Sequence, residues 1–295
     1  MKFLKNLKEH GIRIPLKIGI RKLCLQLLTR LNGVDISDIA RITDEYWEVD
    51  QGIKFPAPLN QSDTKLLIGD FMKIVIPSLL RRRIANFDRQ YGIICVGQET
   101  PYEIEGVSVE TGDVVLDCGA NMGVFSAVAA HHGGTVHAFE VMPYTYNNYL
   151  LRTASMNETK SGGTGIYTHD VAVWDKEETL TFKYDPNGIQ GPSCVTVDKK
   201  NKTEDFSVSA ITLDSFVEKN NIERVDFIKA DIEGAERNML RGAKNILQRF
   251  SPKLSICTYH LKDDPQVIRE IILQTNPKYV IQQKYKKLFA HVPKS

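Results

Sequence analysis

The chain has 295 residues, 42% of them hydrophobic and 25% charged, with a formal net charge of +2. That composition supports a sizeable core, excludes wholesale disorder and argues against a nucleic acid or other strongly electrostatic partner for the whole molecule. The five cysteines, Cys24, Cys95, Cys118, Cys194 and Cys257, are dispersed without a C-x-x-C pair, so neither a disulfide framework nor a zinc site is expected.

No apolar run reaches the length of a membrane span, and no secretory signal is recognisable, so a reducing, cytoplasmic chain is expected. Residues 1–32 mix Lys and Arg with Leu and Ile, and Pro15 separates two predicted helices. Their basic face suits either peripheral membrane contact or packing on the main domain. The polar face is not uniformly cationic, which favours packing. Residues 33–62 read as a connector. Ile68 to Ala85 reads as a helix broken at Pro77, and Arg81-Arg82-Arg83 as a solvated face or an anion site. Together, residues 1–90 are expected as a helical extension ahead of a domain at 91–295. Tyr91–Val96 and Tyr102–Val109 read as a lead-in β-hairpin. The loop Gly97–Tyr102 between them either reaches over a bound ligand or simply connects.

The organising stretch is Asp113 to Glu140. Val114-Val115-Leu116 is a buried-strand pattern ending at Asp117. Gly119 and Gly123 open a turn, Val124 to Ala130 is helical, and Gly133-Gly134 stops it. Thr135 to Phe139 is a second strand ending at Glu140. Strand, glycine turn, helix, strand and acid make the first half of a nucleotide-binding βαβ unit. The turn is D-x-G-A-N-x-G and lacks the third glycine of the pyrophosphate fingerprint. Asp117 would repel a pyrophosphate but suits an ammonium group. S-adenosylmethionine (SAM) carries an ammonium, a ribose diol for Glu140, and no phosphate.

Beyond Glu140, a helix runs from Pro143 to about Asn157, with Tyr144 placed either over an adenosine or in the core. Ile166 to Val173 is the third strand, with Asp170 and Val171 near its end. Thr179–Tyr184, Cys194–Val197 and Phe206–Ile211 are β-segments, and D-P-N-G at Asp185 to Gly188 is a turn. A helix follows to Asn220, then the strand Val225–Asp231 and a helix from about Ala235 to Phe250. Lys253–Tyr259 is the fifth strand, ending at His260, and Pro265–Gln274 is a helix. Tyr279–Tyr285 and Lys287–Val292 form a closing hairpin, which an all-parallel dinucleotide fold lacks.

V-V-L-D-C-G-A-N-M-G-V-F-S followed by D-F-I-K-A-D-I-E-G-A-E resembles the FkbM-type SAM-dependent methyltransferases, over roughly residues 91–292. The resemblance implies a class I methyltransferase, Rossmann-like α/β fold: a mostly parallel seven-stranded sheet with a C-terminal antiparallel hairpin. It implies SAM as cofactor and O-methylation of a hydroxyl on a sugar, glycan or other small natural product. Cofactor candidates are Asp117, Gly119, Ala120, Asn121, Gly123, Phe125, Glu140, Asp170 and Val171, with Asp170 facing the adenine amino group. An NAD(P)-dependent oxidoreductase on a similar unit and a non-catalytic SAM-binding regulator are the alternatives.

Methyl transfer from a sulfonium is an in-line displacement in which the acceptor oxygen loses a proton. Asp231, Glu233 and His260 are the catalytic candidates, His260 as a neutral imidazole base. Glu236 is read as capping its own helix. Neighbouring acids without a fixed geometry assign no metal.

Overall fold

The computed structural model describes residues 40–49, 52–94, 101–158, 165–184, 193–194, 204–284 and 286–293. The basic stretch 1–32 and the turn at 185–188 lie outside the described residues.

Residues 40–56 form an antiparallel sheet of β1 (Ala40–Ile42), β2 (Tyr46–Val49) and β3 (Ile53–Pro56). Trp47, Val49, Ile53 and Phe55 alternate inward, and Trp47 and Phe55 meet Phe71 edge-on at 5.8 and 5.0 Å. The expected connector is corrected here. The period-two alternation is a strand signal, and Pro56 only ends the strand. The helical description of residues 1–90 therefore fails over this stretch.

Helix α1 (Gln61–Asp70) passes through a π turn (Phe71–Val75) into α2 (Ile76–Arg81). Asn60 caps it, its Oδ1 accepting the Asp63 N–H at 2.9 Å. The expected break at Pro77 does not occur. The wide turn just ahead makes room for a ring that has no N–H to give. Helix α3 (Phe87–Ile94) replaces the strand expected at Tyr91–Val96, since Phe87 and Tyr91 lie one turn apart with rings 5.4 Å from each other. Tyr102–Val109 pairs only through an Ile104–Val107 bridge, so the lead-in hairpin is corrected to a helix and a tight loop. Arg81 is held by Asp88 at 2.9 Å and Glu103 at 3.8 Å, which makes it a clamp on that loop.

The main sheet takes β4 (Val114–Cys118), β5 (Thr135–Phe139) and β6 (Ile166–His169), with α4 (Val124–His131) crossing between β4 and β5. From β5 the chain runs through α5 (Pro143–Thr145), a second π turn and α6 (Leu151–Met156). The expected third strand splits after His169: β7 (Ala172–Val173) leaves for a separate sheet with β8 (Glu178–Tyr184) and β9 (Glu204–Ile211). Helix α7 (Leu213–Lys219) leads back to β10 (Phe227–Ala230). The single helix expected after it is broken into α8 (Glu236–Arg241) and α9 (Lys244–Arg249). Between them Gly242 lies so close to Trp174 that an added Cβ would overlap the Trp174 carbonyl oxygen. β11 (Lys253–Cys257), α10 (Asp264–Thr275), β12 (Val280–Lys284) and β13 (Lys287–His291) complete the fold.

Strand order is β12-β13-β11-β10-β4-β5-β6. The five strands from β11 to β6 are parallel, and β13 and β12 close the edge antiparallel. This is the expected class I methyltransferase sheet with its hairpin. Each face buries its own apolar cluster. The cluster under residues 47–91 continues into Val115, Phe125, Val128, Val136 and Phe227, so the segment ahead of the sheet covers one of its faces.

Candidate functional site

Three parallel strands, β5, β4 and β10, end side by side, where an open α/β sheet gathers its ligands. After β4 the backbone turns sharply, with positive φ at Gly119 (77°), Asn121 (52°) and Gly123 (78°). Gly119 and Ala120 donate their N–H groups to the Phe139 carbonyl at 3.0 and 2.8 Å, which ties the turn to the end of β5. A Cβ on Gly119 would overlap the carbonyl oxygen of Asp231 beyond β10, so two loops meet at this glycine.

The turn borders a cavity of about 690 Å³. Gly119, Ala120, Asn121, Phe125, Glu140 and Val171 all line it, as expected of cofactor candidates. Glu140 is buried, and its carboxylate accepts the N–H of Asn121 at 2.9 Å and of Met142 at 2.7 Å. Burial raises its pKa against these hydrogen bonds. A carboxylate offers about four lone-pair sites, so acceptor capacity remains toward the cavity.

Three cofactor candidates are placed differently. Asp117 is fully buried and does not line the cavity. Its carboxylate pairs with Lys229 Nζ at 2.9 Å and accepts the Ser126 hydroxyl at 2.6 Å. The ammonium that the sequence assigned to a ligand is supplied by the protein itself. Lys229 in turn donates to the Gly119 carbonyl at 2.6 Å and lines the cavity. Burial opposes its charge, but Asp117 and Asp231 outweigh this and raise its pKa. Asp170 is exposed in the gap between β6 and β7 and does not line the cavity, whereas its neighbour Val171 does. Gly123 packs on Leu150 and Thr153 rather than on the cavity.

Among the catalytic candidates, Asp231 and Glu233 line the cavity and His260 does not. Asp231 accepts hydrogen bonds from the hydroxyls of Tyr102 and of Tyr259, the latter at 2.8 Å, and Lys73 Nζ lies 3.8 Å away. Burial would raise its pKa, but Lys73 and Lys229 hold the carboxyl far below the usual range. It is therefore a weak proton acceptor. His260 Nδ1 faces Glu236 at 3.1 Å, and Nε2 stands 3.5 Å from both Asp231 and Glu233. Burial lowers its pKa, but the carboxylates, Glu236 foremost, outweigh burial and raise it to about 8. These carboxylates favour the protonated ring, which runs against the expectation of a neutral imidazole base. Glu236 accepts the N–H groups of Ile232 and Gly234 at 2.9 and 3.1 Å, so it holds the turn ahead of α8 rather than capping its own helix, whose N-cap is Ala235.

One ligand atom each from Asp231, Glu236 and His260 lies within 4.8 Å of the others. Glu236 is committed to two backbone N–H groups, and the Lys73 ammonium sits beside Asp231, so no cation is assigned.

Sequence reasoning missed Lys73 and Lys229, which both line the cavity, as does Tyr102, the last residue of the loop expected either to reach over a ligand or to connect. The ammoniums of Lys73, Lys229 and Lys287 surround the Tyr102 ring at 4.9, 5.0 and 4.6 Å. For Lys229 a signal existed: a lysine inside the apolar strand D-F-I-K-A-D needs a buried counter-ion. Nothing in the sequence marked Lys73.

A family model described as the methyltransferase FkbM domain matches residues 117–282. The chain belongs to the FkbM methyltransferase family. Within the wider FkbM relationship, it is 24% identical over 163 residues to the hexuronic acid methyltransferase AglP of Haloferax volcanii, covering 55% of this chain and 62% of that one. It is 26% identical over 173 residues to the 31-O-demethyl-FK506 methyltransferase FkbM of Streptomyces tacrolimicus, covering 49% of this chain and 64% of that one. The chain thus spans less than two thirds of the length of these relatives. The crystal structure of a methyltransferase FkbM from Methylobacillus flagellatus KT superposes with a TM-score of 0.51 at 18% identity, over 76% of this chain and 59% of that one, which is a likeness of fold.

Proposed function

We propose that this FkbM-family chain transfers a methyl group from SAM to a hydroxyl of a glycan or other small molecule. The observation that carries the reading is the joint end of β4, β5 and β10, where the Gly119 turn, Glu140 and Asp231 line one cavity. In this reading Glu140 accepts the ribose diol, and Gly119 to Asn121 lie along the methionine end. Asp231 and Glu233 face the methyl group, Asp231 as a fixed negative charge near the sulfonium rather than as the base. The names of the two relatives, one acting on a hexuronic acid and one on FK506 lacking a methyl, support a small-molecule or glycan acceptor.

No helix among the described residues is long and apolar enough to cross a membrane. Cys118, Cys194 and Cys257 are free thiols, which supports a reducing, cytoplasmic setting.

The test is calorimetry with S-adenosylhomocysteine and NADPH on wild type and Glu140→Ala. Micromolar binding of the homocysteine compound alone, weakened about tenfold or more in the variant, is expected. Binding of NADPH in its place would overturn the reading. Methyl transfer to an acceptor then separates an enzyme from a SAM-binding regulator.

A further inference from the structure

We propose that the cavity-facing side of α1 and its π turn is the acceptor subsite, built for a polyhydroxylated ring. This rests on the methyl-transfer reading and adds where the acceptor binds and by what chemistry. The segment lies ahead of the residues that the family model matches, which begin at 117.

The surface is one helical stripe. Ser62, Leu66, Asp70 and Ile74 follow in steps of four, with Lys73 beside the last, and all five line the cavity. Steps of four drift slowly around a regular helix. The π turn Phe71–Val75 falls where the stripe would leave the cavity, and both Lys73 and Ile74 still line it. Lys73 Nζ there stands 3.8 Å from Asp231, at the end of β10 where the methyl group is delivered. The cofactor reading uses the wall made by Gly119 to Asn121 and Glu140, and the helical wall is left for the second substrate.

Its chemistry is mixed in a particular way. A hydroxyl (Ser62), a carboxylate (Asp70) and an ammonium (Lys73) line the cavity together with the apolar Leu66, and the Tyr144 ring borders the same cavity. A sugar ring presents hydroxyls on its edge and C–H groups on its face, and this wall complements both. The wall is also fixed in place. Asp63 accepts hydrogen bonds from Asn60 Nδ2 at 2.8 Å, from Tyr144 at 2.7 Å and from Tyr149. That clamps the start of α1 to the helix leaving β5, whose end carries Glu140.

The test uses the full chain saturated with S-adenosylhomocysteine. Methyl glycosides of glucose, galactose and glucuronic acid are titrated by saturation-transfer NMR against wild type, Asp70→Asn and Ser62→Ala. Calorimetry on the same samples follows the homocysteine compound. At least one glycoside is expected to bind wild type and to weaken about tenfold or more in Asp70→Asn, with a smaller loss in Ser62→Ala. Cofactor affinity is expected to stay within about twofold in both, which also shows that the variants fold. No glycoside binding to wild type, or equal binding to all three proteins, would overturn the subsite. Loss of cofactor affinity in Asp70→Asn would also overturn it, because the wall would then belong to the cofactor. Wild type that binds no S-adenosylhomocysteine would sink the methyl-transfer reading itself, and the calorimetry scores that outcome separately.

Discussion

At the level of single residues, the site is governed by buried charges that neutralise one another. Lys229 and Asp117 are both almost fully buried, 3% and 0% exposed in their side chains, and 2.9 Å apart. Removing one partner strands the other. Lys229→Met is expected to lower unfolding stability by about 3–5 kcal/mol in urea titrations, and adding Asp117→Asn to recover much of that loss. A lysine variant no less stable than wild type would show that the pair does not matter. His260 gives a second prediction. Its ring is expected to titrate near pH 8 by NMR and to fall toward 6.5 when Glu236, the carboxylate facing Nδ1, becomes Gln. The same residues show why the site was only partly legible. Gly119, Asn121, Glu140 and Asp231 sit in local patterns with a known geometry, so sequence could place them at the cavity. Whether Asp117 faces a ligand or a lysine depends on a side chain 112 positions away, and no local pattern carries that.

Among elements, the central strands were readable because runs such as Val114-Val115-Leu116 and Leu254-Ser255-Ile256 are largely apolar and lie between clear turn signals. Most misread segments lie ahead of residue 110, where tertiary packing overrides local cues; beyond it, the expected third strand splits after His169 and the expected single helix breaks at Gly242. Pro77 looks like a helix breaker, yet a π turn absorbs it. Tyr91 favours a strand by propensity, yet it packs with Phe87 on one helical face. The β1–β3 sheet packs through Phe55 and Trp47 onto Phe71, ahead of the helical wall of the cavity. Phe55→Ala is expected to cost about 3–5 kcal/mol and to shift one single unfolding transition. Two separated transitions would show that residues 40–94 fold as an independent unit.

For the whole molecule, the buried histidines set opposite pH limits. Burial lowers His132 and His137 to about 4, so each is neutral in the fold and binds a proton more readily once unfolded. Their contribution falls as pH drops from 6.5 toward 4, by on the order of 3 kcal/mol per ring at most. His260 has the other sign. Its folded pKa is raised, so its contribution of about 2 kcal/mol is present below 6.5 and lost as pH rises through about 8. Urea midpoints measured from pH 4.5 to 9 should therefore peak near pH 6.5, with His137→Asn flattening the acid side and His260→Gln the alkaline side. The ring of lysines around Tyr102 has one more consequence, for synthesis. Its members come from positions 73, 229 and 287; Lys73 stands beside Asp231 and Lys229 pairs with Asp117. A nascent chain that has emerged only as far as β11 carries both acid–lysine pairs but lacks the third cation against Tyr102, and has an edge of β11 without its antiparallel neighbour. Closing the cation ring around Tyr102 and covering the β11 edge both wait for residue 287, and a stall before that point leaves a sheet with an open edge.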